Sequence, residues 1–243
     1  MTGAIDTSAN LTAFLAKLER PAAPDPGAAQ LLVPPVVGDP MDDVDPIREL
    51  VYSMLLWEAG ASKAAAAARR LQESVVDVNE LRSCLEDEIV RLIGPRYPRA
   101  AERAARMRAV LNQVYHDGNT VSLARLRAMN KREARTYLES LDGIPAFAAA
   151  RVLLISLGGH AFPLDRRLHK VLADANAIEV NPYTKAAGLW VERQIRAGDA
   201  LDAYLALEHC VDAKGGVTPK KSASKRSGAE GSSRRKSSDK SVT

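Results

Sequence analysis

The chain has 243 residues, 46% of them hydrophobic but only 5% aromatic, with 34 Lys/Arg against 30 Asp/Glu. That mixture supplies a core for one large or two small folded units and favours helices packed closely on small side chains, while no apolar run is long enough to span a membrane. The net charge of +4 conceals an asymmetry: residues 214–243 hold nine Lys/Arg and two Asp/Glu (+7), leaving 25 against 28 (−3) for residues 1–213, so bulk electrostatic affinity for nucleic acid is expected in the tail and not in the folded body.

Residues 1–44 read as a flexible, Pro-rich arm. Leu11 to Leu18 has the composition of a short helix, but Pro21, Pro24, Pro26, Pro34, Pro35 and Pro40 interrupt regular structure beyond it. Leu31 to Val33 and Val36-Val37 are apolar enough to pack along the body. Asp45-Pro46 then opens a helix, a capping carboxylate followed by proline at the first helical position. Ile47, Leu50, Val51, Met54 and Leu55 follow on one face. Gly60 ends that helix and Ser62 is placed to cap the alanine-rich helix from Lys63 to Gln72. Asn79 is placed to cap one helix carrying Leu81, Cys84, Leu85, Ile89 and Leu92, which Gly94-Pro95 stops. Pro98 to Val114 is helical, with His116-Asp117-Gly118-Asn119 as its end, and short helices start at Ser122 and Lys131. A buried helix is expected from about Ala148 to Leu157. Tyr183 to Ile195 and Asp199 to Cys210 complete the series. No stretch alternates like a half-buried strand, so the fold class is an all-α globule. Lys214 to Thr243 is too poor in apolar residues to bury a core and reads as a disordered basic tail.

Two segments carry the functional signal. Leu141-Asp142-Gly143-Ile144-Pro145 is a helix–turn–helix corner in which Gly143 permits a tight backbone turn and the next helix offers its first amides to an anion. After the apolar run comes Gly158-Gly159-His160-Ala161-Phe162-Pro163-Leu164-Asp165-Arg166-Arg167-Leu168-His169-Lys170-Val171, a loop that delivers one carboxylate to a helix start. Together these resemble the helix-hairpin-helix plus Gly/Pro-Asp signature of the endonuclease III DNA glycosylase superfamily (HhH-GPD), as a divergent member.

The resemblance implies a two-lobed helical fold around a central cleft, with one lobe from residues 62–165 and the other from 45–61 and 166–213. It implies that Gly143, Ile144 and Ala146 hold a DNA phosphate without reading sequence. Pro145 replaces the family's second hairpin glycine, and having no N–H it removes one phosphate donor. Asp165 falls where the family places the carboxylate that stabilises charge on the sugar or activates water as the base leaves. Alone, it would read as an ordinary helix-start aspartate. The lysine with which the family's lyases form a Schiff base maps to Phe147, which has no nucleophile. Any activity is therefore monofunctional hydrolysis of an N-glycosidic bond. Trp57 and Glu58 lie where the family places a wedge that fills the gap left by a flipped base, and a glutamate there repels phosphate. Phe147, Trp57, Glu58 and His160 are the candidates for lining a base pocket, although Phe147 reads better as core, Trp57 equally as core, and His160 better as a solvent-exposed loop histidine.

Cys84 and Cys210 are too few for the family's four-thiolate cluster, and the histidines have no metal-ligand spacing, so no iron–sulfur cluster, metal or other cofactor is expected. The cysteine count and the lack of a secretory pattern place the chain in a reducing compartment, cytoplasmic at the nucleoid or nuclear, and not secreted. Lys220, Lys221, Lys225, Arg226, Arg234, Arg235 and Lys236 are expected to bind DNA phosphates by counterion release. Three functions remain: a monofunctional repair glycosylase acting on a damaged or mismatched base, a non-catalytic DNA-binding protein with the same fold, and a helical protein-interaction scaffold. In the first two the partner is double-stranded DNA, and the chain is expected to act as a monomer.

Overall fold

The structure, a computed structural model, describes residues 7–19, 45–178 and 185–215. They contain helices and no strand. The helices are α1 (Thr7–Ala16), α2 (Pro46–Leu56), α3 (Ala61–Ser74), α4 (Val78–Ser83), α5 (Glu86–Ile93), α6 (Ala100–Gly118), α7 (Lys131–Ser140), α8 (Ala146–Ile155), α9 (Arg166–Asp174), α10 (Lys185–Gln194) and α11 (Ala200–Gly215). Short 3-10 turns cover Ala124–Ala128 and Ala197–Asp199.

α2 starts as the sequence specifies: the Asp45 carboxylate accepts the Ile47 amide at 3.2 Å with Pro46 at the first helical position. It is buried on almost every side, including Glu49, Tyr52 and Ser53 off the expected stripe. Its main partner is α8, and these two helices link α3, α6 and α7 on one flank with α11, and through it α9, on the other. One continuous hydrophobic cluster runs through both flanks.

Three local expectations change. The stretch 79–92 forms two helices, not one. Asp77, not Asn79, caps α4 by accepting the Glu80 amide at 2.8 Å. At Cys84 and Leu85 the backbone turns extended, and Glu88 accepts the Leu85 amide at 2.7 Å to start α5. Leu85, expected on a core stripe, is therefore 56% exposed. α3 begins at Gly60 without a side-chain cap of its own, and Ser62 is not the cap. The acceptor comes from across the fold, where Asp212 of α11 takes the Ala61 amide at 3.1 Å. α11 in turn runs to Gly215, so the first two residues of the expected tail are helical.

Within the segment read as an arm, Thr7–Ala16 is the helix α1. Leu11 is fully buried, Ser8 donates to Gln194 at 2.8 Å and Asn10 to the Asn176 carbonyl at 3.1 Å. Burying Leu11 contributes about 1.5–3 kcal/mol, so α1 belongs to the folded body. Residues 20–44, with Leu31 to Val33 and Val36-Val37, lie outside the described residues, as do 216–243 and every tail residue expected on DNA, Lys220 to Lys236.

Candidate functional site

α7 ends at Ser140, and the chain turns through Leu141 to Ile144 before α8. The Ile144 amide donates to the Leu141 carbonyl at 3.2 Å, and Gly143 has φ +80. That is the third position of a type II-like turn, where only a residue tolerant of positive φ is unstrained. A side chain at Gly143 would also lie 3.4 Å from the Arg106 backbone. Arg106 of α6 clamps the turn by donating to the Gly143 carbonyl at 3.0 Å. Pro145 caps α8 at φ −67, so its missing N–H leaves no helical bond unmade. The first-turn amides of Ala146 and Phe147 have no acceptor within the helix, the arrangement that suits an anion. α8 therefore starts two residues earlier than the apolar pattern suggests.

Beside the hairpin stands Trp57. Its ring is contacted by three guanidinium groups of the α6 approach, with Arg99, Arg106 and Arg103 carbons 4.7, 5.4 and 5.5 Å from the centroid. Arg103 is fully buried and donates to the carbonyls of Met54, Trp57 and Pro98. Burial pulls its pKa down to about 10. Trp57 is 8% exposed and pinned by these groups, so in this conformation it is a platform rather than a side chain ready to insert between bases. Glu58 follows at φ +59, an unusual conformation for a glutamate. Burial and then the neighbouring Asp165 raise its carboxyl pKa.

Asp165 is reached through a loop set by Gly159, where a β-carbon would collide with Leu153 at 2.6 Å. The aspartate is fully buried and caps α9. One carboxylate oxygen accepts the Arg167 and Leu168 amides at 3.0 and 3.1 Å. The other accepts the Glu58 amide at 2.9 Å and the Arg167 Nε at 2.8 Å. Four donors fill the capacity of a carboxylate. Arg167 continues to Glu208 at 2.9 Å; Tyr204 donates to Glu208 at 3.1 Å and accepts from Arg151 at 2.8 Å; Arg151 pairs with Glu49, which also accepts from Ser53.

This chain of three carboxylates and two guanidinium groups ties α2, α8, α9 and α11 together through the core. Its excess negative charge sits at the N-terminus of α9, where the helix dipole compensates it. Burial raises the pKa of Glu208 and Glu49, opposed by Arg167 and Arg151 respectively. Burial alone would lower Arg167, but Glu208 and Asp165 outweigh it and hold it above the ordinary arginine range.

The structure thus brings Trp57, Glu58 and Asp165 together and links them through Arg106 to Gly143. Phe147 stands apart in the core, 1% exposed and edge-on to Tyr204 at 6.4 Å. His160 is half-buried with Nε2 against the Ile195 carbonyl at 3.1 Å. Ile144 and Ala146 flank the hairpin, both half-buried. Among the described residues no three His, Cys, Asp or Glu side chains converge as a metal site, and no helix is long and apolar enough to cross a membrane.

Sequence patterns do not single out Arg99, Arg106, Arg167 and Glu208. A signal does exist for Arg103 and Arg151: each is an arginine on the otherwise apolar face of a helix, which burial permits only with partners at hand.

No protein-family model matches the chain, and no curated protein matches it. Solved structures do. A thermostable thymine-DNA glycosylase is 16% identical with a TM-score of 0.56, over 84% of this chain and 83% of that one. Endonuclease III trapped as a covalent DNA intermediate is 14% identical with a TM-score of 0.55, over 83% and 81%. The H. pylori 3-methyladenine DNA glycosylase bound to 1,N6-ethenoadenine is 12% identical with a TM-score of 0.55, over 87% and 96%. Built around a Gly143 hairpin and a helix-opening Asp165, the chain has the endonuclease III-type, all-α glycosylase fold.

Proposed function

We propose that this protein is a non-catalytic double-stranded DNA-binding protein that keeps the glycosylase fold for gripping the DNA backbone. One observation carries the reading: Asp165, the position that would serve base excision, is fully buried and shares both oxygens among four donors. A carboxylate in that state has no lone pair facing a sugar or a water, so it neither stabilises an oxocarbenium ion nor activates a nucleophile. Phe147 supplies no amine for lyase chemistry. The hairpin needs none of this: its geometry offers amides and a helix N-terminus to a phosphate. The chain would act as a monomer in a DNA-containing compartment, and its two thiols, Cys84 and Cys210, are too few for a four-thiolate cluster.

The second reading is a monofunctional glycosylase that hydrolyses the N-glycosidic bond of a flipped base. It is favoured by the fold it shares with three glycosylases, and it requires Arg167 to leave Asp165. A base-release assay separates the two. Duplexes carrying uracil, thymine glycol, 8-oxoguanine, alkylated purines or mismatches would be incubated with the protein, then with alkali to reveal abasic sites. The expected result is duplex binding without base release from any substrate. Base release that disappears in Asp165→Asn would overturn the non-catalytic reading and name the substrate.

A further inference from the structure

Arg99 and Arg106 have no structural task equal to that of Arg103. Arg103 is buried and spends its guanidinium on three carbonyls. Arg99 and Arg106 lie over the same Trp57 ring but remain about one-third exposed, at 37% and 36%. Both turn their Nε toward one carboxylate, Glu102, at 2.8 and 2.9 Å from its two oxygens. Two guanidinium groups converging on a single exposed anion, on a rigid aromatic base, have the geometry of an oxyanion fork. Arg106 also holds the Gly143 carbonyl, so the fork adjoins the hairpin and the first turn of α8.

We infer that Arg99 and Arg106 form a phosphate-binding fork for the DNA backbone, which Glu102 occupies while no DNA is bound. This rests on the DNA-binding reading above and adds to it a phosphate site outside the hairpin. The physical case is a comparison of strengths. Partly exposed ion pairs between near neighbours in the chain are weak and screened by salt, so Glu102 is a weak occupant. Stacking on Trp57 already restricts both arginines, which lowers the entropy cost of fixing them on a ligand. A phosphate of the strand on the hairpin presents the same pair of oxygens as Glu102, with release of condensed counterions in addition. Arg99 adopts φ +55, uncommon for a residue that is not glycine, and this conformation directs the chain into α6 with Arg99 at its cap.

The test is fluorescence-anisotropy titration of the full chain onto a duplex at several salt concentrations between roughly 50 and 200 mM. Arg99→Gln with Arg106→Gln is expected to weaken binding about ten-fold at low salt and to flatten the log–log salt slope by about 1, the equivalent of one phosphate. Glu102→Gln, which frees the fork and leaves the Arg106–Gly143 bond in place, is expected to tighten binding about three- to ten-fold. A role limited to stability would not produce that gain. If the double variant unfolds, Glu102→Gln decides alone, and affinity no tighter than wild type overturns the fork. If wild type binds and every folded variant keeps its affinity and slope, the fork falls and the hairpin reading stands. If wild type shows no binding even at the lowest salt, the DNA reading falls and the fork with it.

Discussion

Asp165 shows how one residue type in one position can serve opposite ends. An aspartate at the start of a helix in a glycosylase fold is either a catalyst or a cap, and the difference lies in what else reaches its oxygens. Here Arg167, two residues along, folds back onto the carboxylate through Nε and donates to Glu208 through one terminal nitrogen. The two roles predict opposite effects on stability. A catalytic carboxylate held ready for substrate is commonly strained, and its replacement is neutral or stabilising. A buried cap and ion-pair partner is not. Asp165→Asn keeps the shape and one capping oxygen but leaves Arg167 short of a charge. It should cost about 2–4 kcal/mol, somewhat less than full removal of a buried ionic partner. Chemical denaturation of the two proteins measures this directly. A variant as stable as wild type would show that Asp165 is not structural and would favour the enzymatic reading.

At the scale of elements, α9 concentrates the titratable burial. His169, one turn after the Asp165 cap, is buried, and burial lowers its pKa below the ordinary histidine value of 6.5. The unfolded chain therefore takes up a proton near its ordinary pKa while the folded chain resists. The stabilising preference for neutral His169 is fully present above that value and is lost as pH falls toward the depressed folded value. Denaturation midpoints should decline as pH falls below about 6.5, and His169→Gln should remove that part of the decline. An unchanged profile in the variant would overturn the assignment to His169; Glu58, Glu208 and Glu49 act in the opposite direction, because burial raises their pKa and favours their protonation in the fold.

The same scale shows what is legible in the sequence. The stripe of α2, the Asp45-Pro46 start, the Gly143 corner and the Asp165 helix start are all readable, because each depends on residues within one or two turns of one another. The cap on α3 is not, because Asp212 arrives from 151 residues away. Nor is the break at Cys84-Leu85, where apolar spacing favours one helix and the local caps at Asp77 and Glu88 favour two. The partnership of Glu49 with Arg151 spans 102 residues, and only the presence of opposite charges on two apolar helices foreshadows it. Burial of Asp165 is the hardest to foresee, since it depends on the Arg167 rotamer and on where α11 places Glu208.

Over the whole molecule the decisive quantity is how charge is divided. α11 runs to Gly215, so a truncation that respects the fold removes residues 216–243. That segment carries eight Lys/Arg and two Asp/Glu, a charge of +6, and leaves 26 basic against 28 acidic residues, or −2. The basic tail and the hairpin face should then make separable contributions to affinity. Tail binding is delocalised and enters mainly through counterion release, so deleting 216–243 should lower low-salt affinity at least ten-fold and flatten the salt slope by roughly 0.9 for each phosphate the tail neutralises. What remains belongs to the folded body, and it should be weakened further by Arg106→Gln. A slightly acidic body that still binds DNA can do so only by local geometry, through the amides of the hairpin and the convergence of arginines on one face. If the truncated protein binds no duplex at low salt while remaining folded, that geometry is not a DNA grip, and the affinity of the chain is that of its tail alone.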